Sequence, residues 1–196
     1  MASQAPRRAT YADVLAAPRN MVAEVVDGVL HLHPRPAKPH AAAAAALGEE
    51  LGPPFKRGRG GPGGWILLGE PELHLAEDIL VPDLAGWRRE RMPSLVADVP
   101  YFELAPDWVC EVLSPSTERH DRRDKLLCYR RAGVSHVWLV NPVQRTLEVL
   151  GLAGDHYAIL DVFRDDERVR ARPFEAIELD LALLWADVVW PTDPRV

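Results

Sequence analysis

The stretch Trp108-Val-Cys-Glu-Val-Leu113, Ser114-Pro-Ser-Thr117, Asp121-Arg-Arg-Asp-Lys-Leu-Leu-Cys-Tyr129 and His136-Val-Trp-Leu-Val140 decides the fold. It reads as a buried strand, a tight turn, an amphipathic helix closed by Gly133 and a second buried strand, which together make a βαβ unit. One residue breaks the pattern. Glu111 stands between Cys110 and Val112 inside the first strand, where an ionised carboxylate is costly to bury without a partner. Whatever offsets that cost is a lead to function.

Upstream, Thr10 caps a short helix over Tyr11 to Ala17, stopped by Pro18. Two apolar runs then flank Asp27-Gly28, a strong hairpin signal. His40 to Leu51, with alanine from Ala41 to Ala46, predicts a helix packed closely on a flat surface, because Ala favours helix and keeps it near what it covers. Gly52 to Gly64 reads as a mobile Gly- and Pro-rich loop that matches neither GxxxxGK[ST] nor GxGxxG, so no nucleotide-binding loop is expected there. Trp65 to Leu68, Glu72 to Leu75 and Ile79 to Trp87 read as strands, the last interrupted by Val81-Pro82-Asp83. Proline cannot donate to a ladder, so this strand is bent or at an edge, and Asp83 sits on the bend. Thr146 to Leu150 and His156 to Phe163 form a closing hairpin, and a terminal helix is expected near Ala182 to Val189. With no repeat or composition break, residues 1–196 are expected to form one α/β domain, core about 20–165, with a mixed sheet and helices on its faces.

The 196 residues, 47% hydrophobic, suffice for one core. No apolar run reaches membrane-spanning length and Met1 to Asn20 lacks the apolar block of a secretory signal, so a cytoplasmic protein is expected. Cys110 and Cys128 read as buried, reduced thiols, with no Cys/His spacing that suggests zinc. The net charge of −6 argues against a general nucleic-acid coat but not against a local basic groove. Basic residues cluster at Lys56 to Arg59, Arg88 to Arg91 and Arg119 to Arg131. Of the 23 Lys and Arg residues only Lys38, Lys56 and Lys125 are lysines, which sets Lys125 apart.

Asp83 and Glu111 come from consecutive strands, which often pair, so their carboxylates can converge. Converging oxygens that leave room for water suit Mg²⁺ or Mn²⁺, and such an ion would offset the burial of Glu111. Lys125 shares a helical stripe with Asp121, Cys128, Tyr129 and Ala132, so its ammonium can face the sheet. The same spacing equally allows an exposed Asp121–Lys125 pair worth only about 0.3 to 0.5 kcal/mol. Glu24, by its place in the hairpin, reads as a solvent-face residue. His31 and His33 share one face of the second hairpin strand and, lacking a third ligand in the sequence, are read as structural. Ser114, Ser116 and Thr117 lack the GxSxG elbow and are read as turn and cap.

Taken together, Val81-Pro82-Asp83, Glu111-Val-Leu-Ser-Pro-Ser-Thr117, Asp121 to Tyr129 and Gly133 to Pro142 resemble the bacterial Uma-two family of restriction endonucleases, a branch of the PD-(D/E)XK nuclease superfamily. The likeness extends upstream through Glu24 to Gly28 and His40. It implies a restriction-endonuclease-like mixed β-sheet flanked by helices, and metal-dependent hydrolysis of phosphodiester bonds in nucleic acid, DNA first, leaving a 5′-phosphate. Asp83, Glu111 and the Val112 carbonyl are then the ligands of Mg²⁺ or Mn²⁺, Lys125 is the catalytic lysine, and Glu24 and His40 are further site candidates. The superfamily lysine stands two residues after the glutamate; Leu113 fills that place here, and His136 and Asn141 stand where the family has Glu and Asp. Lys56, Arg57, Arg59 and Arg88 to Arg91 are expected to rim the acidic centre. A homodimer is open to such a protein, because nucleases that cut both strands often pair. Two alternatives stand beside this one: a catalytically silent nucleic-acid or protein-binding module, and a hydrolase of smaller phosphate esters.

Overall fold

The computed structural model describes residues 7–189. After α1 (Tyr11–Leu15), strands β1 (Met21–Val26) and β2 (Val29–Pro34) form the expected hairpin. Its tip residues Asp27 and Gly28 have φ of 51° and 79°, both positive, as a two-residue hairpin turn of type I′ demands. Helix α2 (Lys38–Leu51) is followed by β3 (Trp65–Gly69), the short strands β4 (Leu73–Leu75) and β5 (Asp78–Leu80), and β6 (Leu84–Arg88). The central unit is β7 (Trp108–Val112), then α3 (Glu118–His120), a π-helical turn Asp121–Lys125 and α4 (Leu126–Arg131), then β8 (His136–Asn141). Strands β9 (Thr146–Ala153) and β10 (His156–Arg164) close the main sheet, and β11 (Arg168–Val169) pairs with β12 (Leu179–Asp180).

The main sheet runs β10-β9-β8-β7-β6-β3, and the smaller one β2-β1-β5-β4. Within the main sheet only β7 and β8 are parallel, so the helical run between them is the crossover predicted from sequence. Every residue of β7 is buried because both faces of the sheet are covered. Trp108, Cys110 and Val112 join Trp138, Phe174 and the α2 residues Ala43, Leu47 and Leu51 on one face. Val109 and Leu113 join Val137, Leu139, Cys128 and Tyr129 on the other. Cys110 and Cys128 are buried free thiols on opposite faces of the sheet.

The run Ile79 to Trp87 is not one bent strand. It ends in the smaller sheet at Leu80 and resumes in the main sheet at Leu84, with Val81-Pro82-Asp83 as the crossing. Two further departures concern ends of elements. Gly52–Lys56 is a π-helical turn that buries Pro54 and Phe55, so apolar packing organises the start of the expected loop. In place of the terminal helix stands a short 3₁₀ turn, Leu181–Leu184, whose three-residue period buries Leu181 and Leu184 together.

Candidate active site

At Val81-Pro82-Asp83 the two sheets part, and backbone groups there lose strand partners. Side chains take their place. Glu24 Oε1 accepts the Val81 N–H at 2.7 Å, and Asp83 Oδ2 accepts the Val112 N–H at 2.7 Å. Glu24 reaches the seam because β1 is an interior strand, with Val25 opposite Ile79 of β5. Asp83 precedes Leu84, which lies opposite Cys110, so it arrives beside Glu111.

Glu111 alternates with Cys110 and Val112 and therefore faces the crossover helix. There Tyr129 donates its hydroxyl to Glu111 Oε1 at 2.5 Å, and Lys125 Nζ lies 2.8 Å from the same oxygen. Lys125 Nζ is also 3.0 Å from Glu24 Oε1, 3.8 Å from Asp121 Oδ1 and 3.5 Å from the Val81 carbonyl. Asp121, Lys125 and Tyr129 follow one another at intervals of four, which places them on one buried stripe. The π-helical turn across Asp121–Lys125 is of a kind that concentrates at functional sites. From the first turn of α2, His40 Nε2 approaches Asp83 Oδ1 at 2.5 Å. A cleft of about 270 Å³ opens onto all of these groups except Tyr129, and Val112, Ser114 and Thr117 line it as well.

Three carboxylates, Glu24, Glu111 and Asp121, thus surround one ammonium, with Asp83 beside Glu111. Lys125 is 3% exposed, and Glu24 and Glu111 2% each, so they form a desolvated cluster rather than a surface network. Burial alone would raise the Glu24 carboxyl; Lys125, the more distant His120 and the Val81 N–H outweigh it and hold Glu24 at about 2. Glu111 goes the other way. Burial, joined by Asp121, Asp83 and Glu24, outweighs Lys125 and sets Glu111 well above the ordinary carboxyl range. Asp121 is raised too, mainly by burial. Burial would lower the Lys125 ammonium, but Glu111, Glu24 and Asp121 together hold it well above its usual value. Lys125 is therefore charged throughout the neutral range, amid surplus negative charge.

The five candidates Glu24, His40, Asp83, Glu111 and Lys125 come together here. Two expectations are overturned. Glu24 is not on a solvent face, because β5 covers the other side of β1. The Asp121–Lys125 pair is not exposed: both side chains are buried against the sheet. The residues expected to rim the centre, Lys56, Arg57, Arg59 and Arg88 to Arg91, are not among those that line it. Lys56 donates to the Leu67 carbonyl at 2.9 Å, Arg88 covers the Trp65 ring at 4.6 Å, and Arg91 pairs with Asp107 at 2.9 Å. Arg35 is the basic lining residue besides Lys125. Tyr129 as the Glu111 donor, Asp121 as a wall of the cleft and His120 beside Glu24 were not singled out from sequence, although the stripe through Lys125 contained the first two.

Fold and seam together define a mixed α/β protein with an acidic cleft where its two sheets part. A solved structure, that of a "putative nuclease belonging to DUF820" from Anabaena variabilis, shares this fold with a TM-score of 0.73, 22% sequence identity, and coverage of 91% of this chain and 98% of that one. The Uma2 family, described as "Putative restriction endonuclease", matches residues 9–183, and the chain belongs to it. No curated protein matches. Among the described residues no helix is long and apolar enough to cross a membrane.

Proposed function

We propose that this chain is a divalent-metal-dependent endonuclease that acts in the cytoplasm on nucleic acid, DNA in the first instance. The observation that carries the reading is the convergence of Asp83, Glu111 and Lys125, from three separate elements, at the seam between the sheets. The donor set suits a hard cation: its oxygens are carboxylates in negative surplus, Asp83 accepts only one hydrogen bond on each oxygen, and Glu111 Oε2 takes part in none of the bonds described above. Asp83, Glu111 and the Val112 carbonyl would hold Mg²⁺ or Mn²⁺. Such an ion, when bound, polarises the phosphoryl group and acidifies water.

The remaining work falls to the chain's own side chains. Because Lys125 stays protonated at neutral pH, it acts as a donor and not as a base: it orients the attacking water and stabilises charge building on the phosphorane oxygens. Glu24 holds Lys125 in place, and His40 and the Val112 N–H hold Asp83, so these act as positioning groups. A homodimer would place two such seams on the two strands of a duplex.

The test is cleavage of plasmid and single-stranded DNA in Mg²⁺, by the wild type and by Asp83→Asn and Glu111→Gln. Metal-dependent cutting that EDTA stops, and that falls at least about 100-fold in either variant, supports the reading. Cutting in EDTA, or undiminished cutting in both variants, overturns it. The acidic lining of the cleft favours one other reading, a silent binding module. Salt-sensitive binding of labelled DNA in Ca²⁺, with no cleavage in Mg²⁺ or Mn²⁺, selects that reading.

A further inference from the structure

His31 and His33 project from one side of β2, and the fold brings them the third partner that their neighbourhood in sequence lacks. His120, at the end of α3, places a ring nitrogen so that one nitrogen from each of the three imidazoles lies within 4.8 Å of the other two. The ring centroids of His31 and His33 are 4.3 and 5.1 Å from that of His120. His120 is 8% exposed, and the Nε2 atoms of His33 and His120 are buried with no hydrogen-bond partner. Native proteins seldom leave such atoms orphaned without a reason.

Both orphaned nitrogens face one oxygen. Glu24 Oε2 lies 3.6 Å from His33 Nε2 and 3.6 Å from His120 Nε2, beyond hydrogen-bond length in each case. On the far side of its ring, His120 Nδ1 is 3.2 Å from Asp124 Oδ2. A proton on Nδ1 directed at that carboxylate leaves the Nε2 lone pair free, the arrangement that orients histidine ligands in metal sites.

We propose that His31, His33 and His120 form a binding site for a divalent transition metal of the Zn²⁺ class, with Glu24 Oε2 as the fourth donor and Asp124 orienting His120. Imidazole nitrogens select such ions over Mg²⁺, and three of them with one carboxylate make a tetrahedral set. The ion clips the β1–β2 hairpin to the start of the crossover helix. It also holds one oxygen of Glu24 while Lys125 and the Val81 N–H hold the other. The donor set excludes Asp83 and Glu111, although Glu24 and His33 line the same cleft, and the inference does not depend on the nuclease reading.

The experiment uses the full chain stripped of metal with EDTA and titrated with CoCl₂ and ZnCl₂. The expected result is one equivalent of Co²⁺ with visible absorption of tetrahedral intensity, displaced by Zn²⁺ and not by excess Mg²⁺. His31→Asn with His33→Asn, both partly exposed positions, should abolish the absorption while circular dichroism stays native. Asp124→Asn should weaken Co²⁺ binding about 10- to 100-fold, and Asp83→Asn should leave it unchanged. Zn²⁺-induced shifts in ¹H–¹⁵N spectra of the wild type, confined to these three imidazoles among the histidines, give the same answer without any substitution. Absence of stoichiometric binding by the wild type, full binding by the double variant, or loss of binding in Asp83→Asn overturns the proposal.

Discussion

Replacing Lys125 by Met removes the single ammonium from a cluster of buried carboxylates and keeps most of the side-chain volume. In the metal-free protein at pH 7 the cost is expected to be about 3 to 5 kcal/mol, the usual result of leaving buried charge without its partner. The electrostatics of Glu24 point the same way. Holding the Glu24 carboxyl at about 2, against an ordinary 4.5, corresponds to about 3 kcal/mol, and Lys125 is the largest influence that lowers it. The sign with pH follows. In the wild type the depressed Glu24 carboxyl contributes stability that is fully present above about pH 4.5 and is lost as pH falls toward 2. Glu111 and Asp121 are already raised in the wild type, and losing Lys125, which lowers both, raises them further, so acidification stabilises the variant more than the wild type. The gap between the two proteins should therefore narrow on acidification, and again on adding Mg²⁺. Urea unfolding in EDTA at pH 7 and pH 5, followed by tryptophan fluorescence, measures it. Equal stability at pH 7, or a gap that widens in acid, would refute this account of the cluster. Cleavage by Lys125→Met should fall about 10²- to 10³-fold in conditions where it is folded.

Tyr129→Phe, which removes the hydroxyl donor to Glu111 Oε1 at a fully buried position, should cost about 1.5 to 3 kcal/mol in urea unfolding. Gly86→Ala should cost about 1 to 3 kcal/mol, because its new Cβ would lie 2.8 Å from Leu67 Cδ2 and 3.2 Å from ring carbons of Trp65 and Trp108; thermal denaturation reads the loss. Asp78 accepts from the Asp27 N–H at 2.8 Å and Arg131 at 2.7 Å, which together outweigh burial and lower its carboxyl. Asp78→Ala should therefore destabilise by about 2 kcal/mol at pH 7, and the difference should fade below about pH 3.8, where the unfolded chain's carboxyl takes up a proton before the folded one does.

The crossover unit was legible in the sequence because a parallel strand pair needs continuous apolar runs and a helix between them, and both are local patterns. Glu111 was legible for the opposite reason: a lone charge in such a run demands a partner. Asp83 was marked by the proline before it. Glu24 was not, since alternation along β1 is the same whether one face or both are covered, and only the pairing of Val25 with Ile79 makes the strand interior. The basic clusters misled for a similar reason. Their partners, the Leu67 carbonyl, the Trp65 ring and Asp107, lie outside the clusters, and no charge count shows which arginines are already engaged. That Ile79 to Trp87 divides between two sheets was likewise hidden, because a bend and a transfer between sheets have the same signature in sequence.

The Asp83 carboxylate, proposed above as a metal ligand, also acts as a rivet through its bond to the Val112 N–H, for it stands where a strand neighbour would otherwise be. Alanine at this position, the habitual inactive control in genetics, would remove chemistry and mechanical cohesion together, and a lost phenotype in a cell would not tell them apart. Asparagine keeps an oxygen able to accept that N–H while discarding the charge. Complementation experiments that compare the two substitutions can assign a phenotype to hydrolysis or to the mere presence of an intact fold.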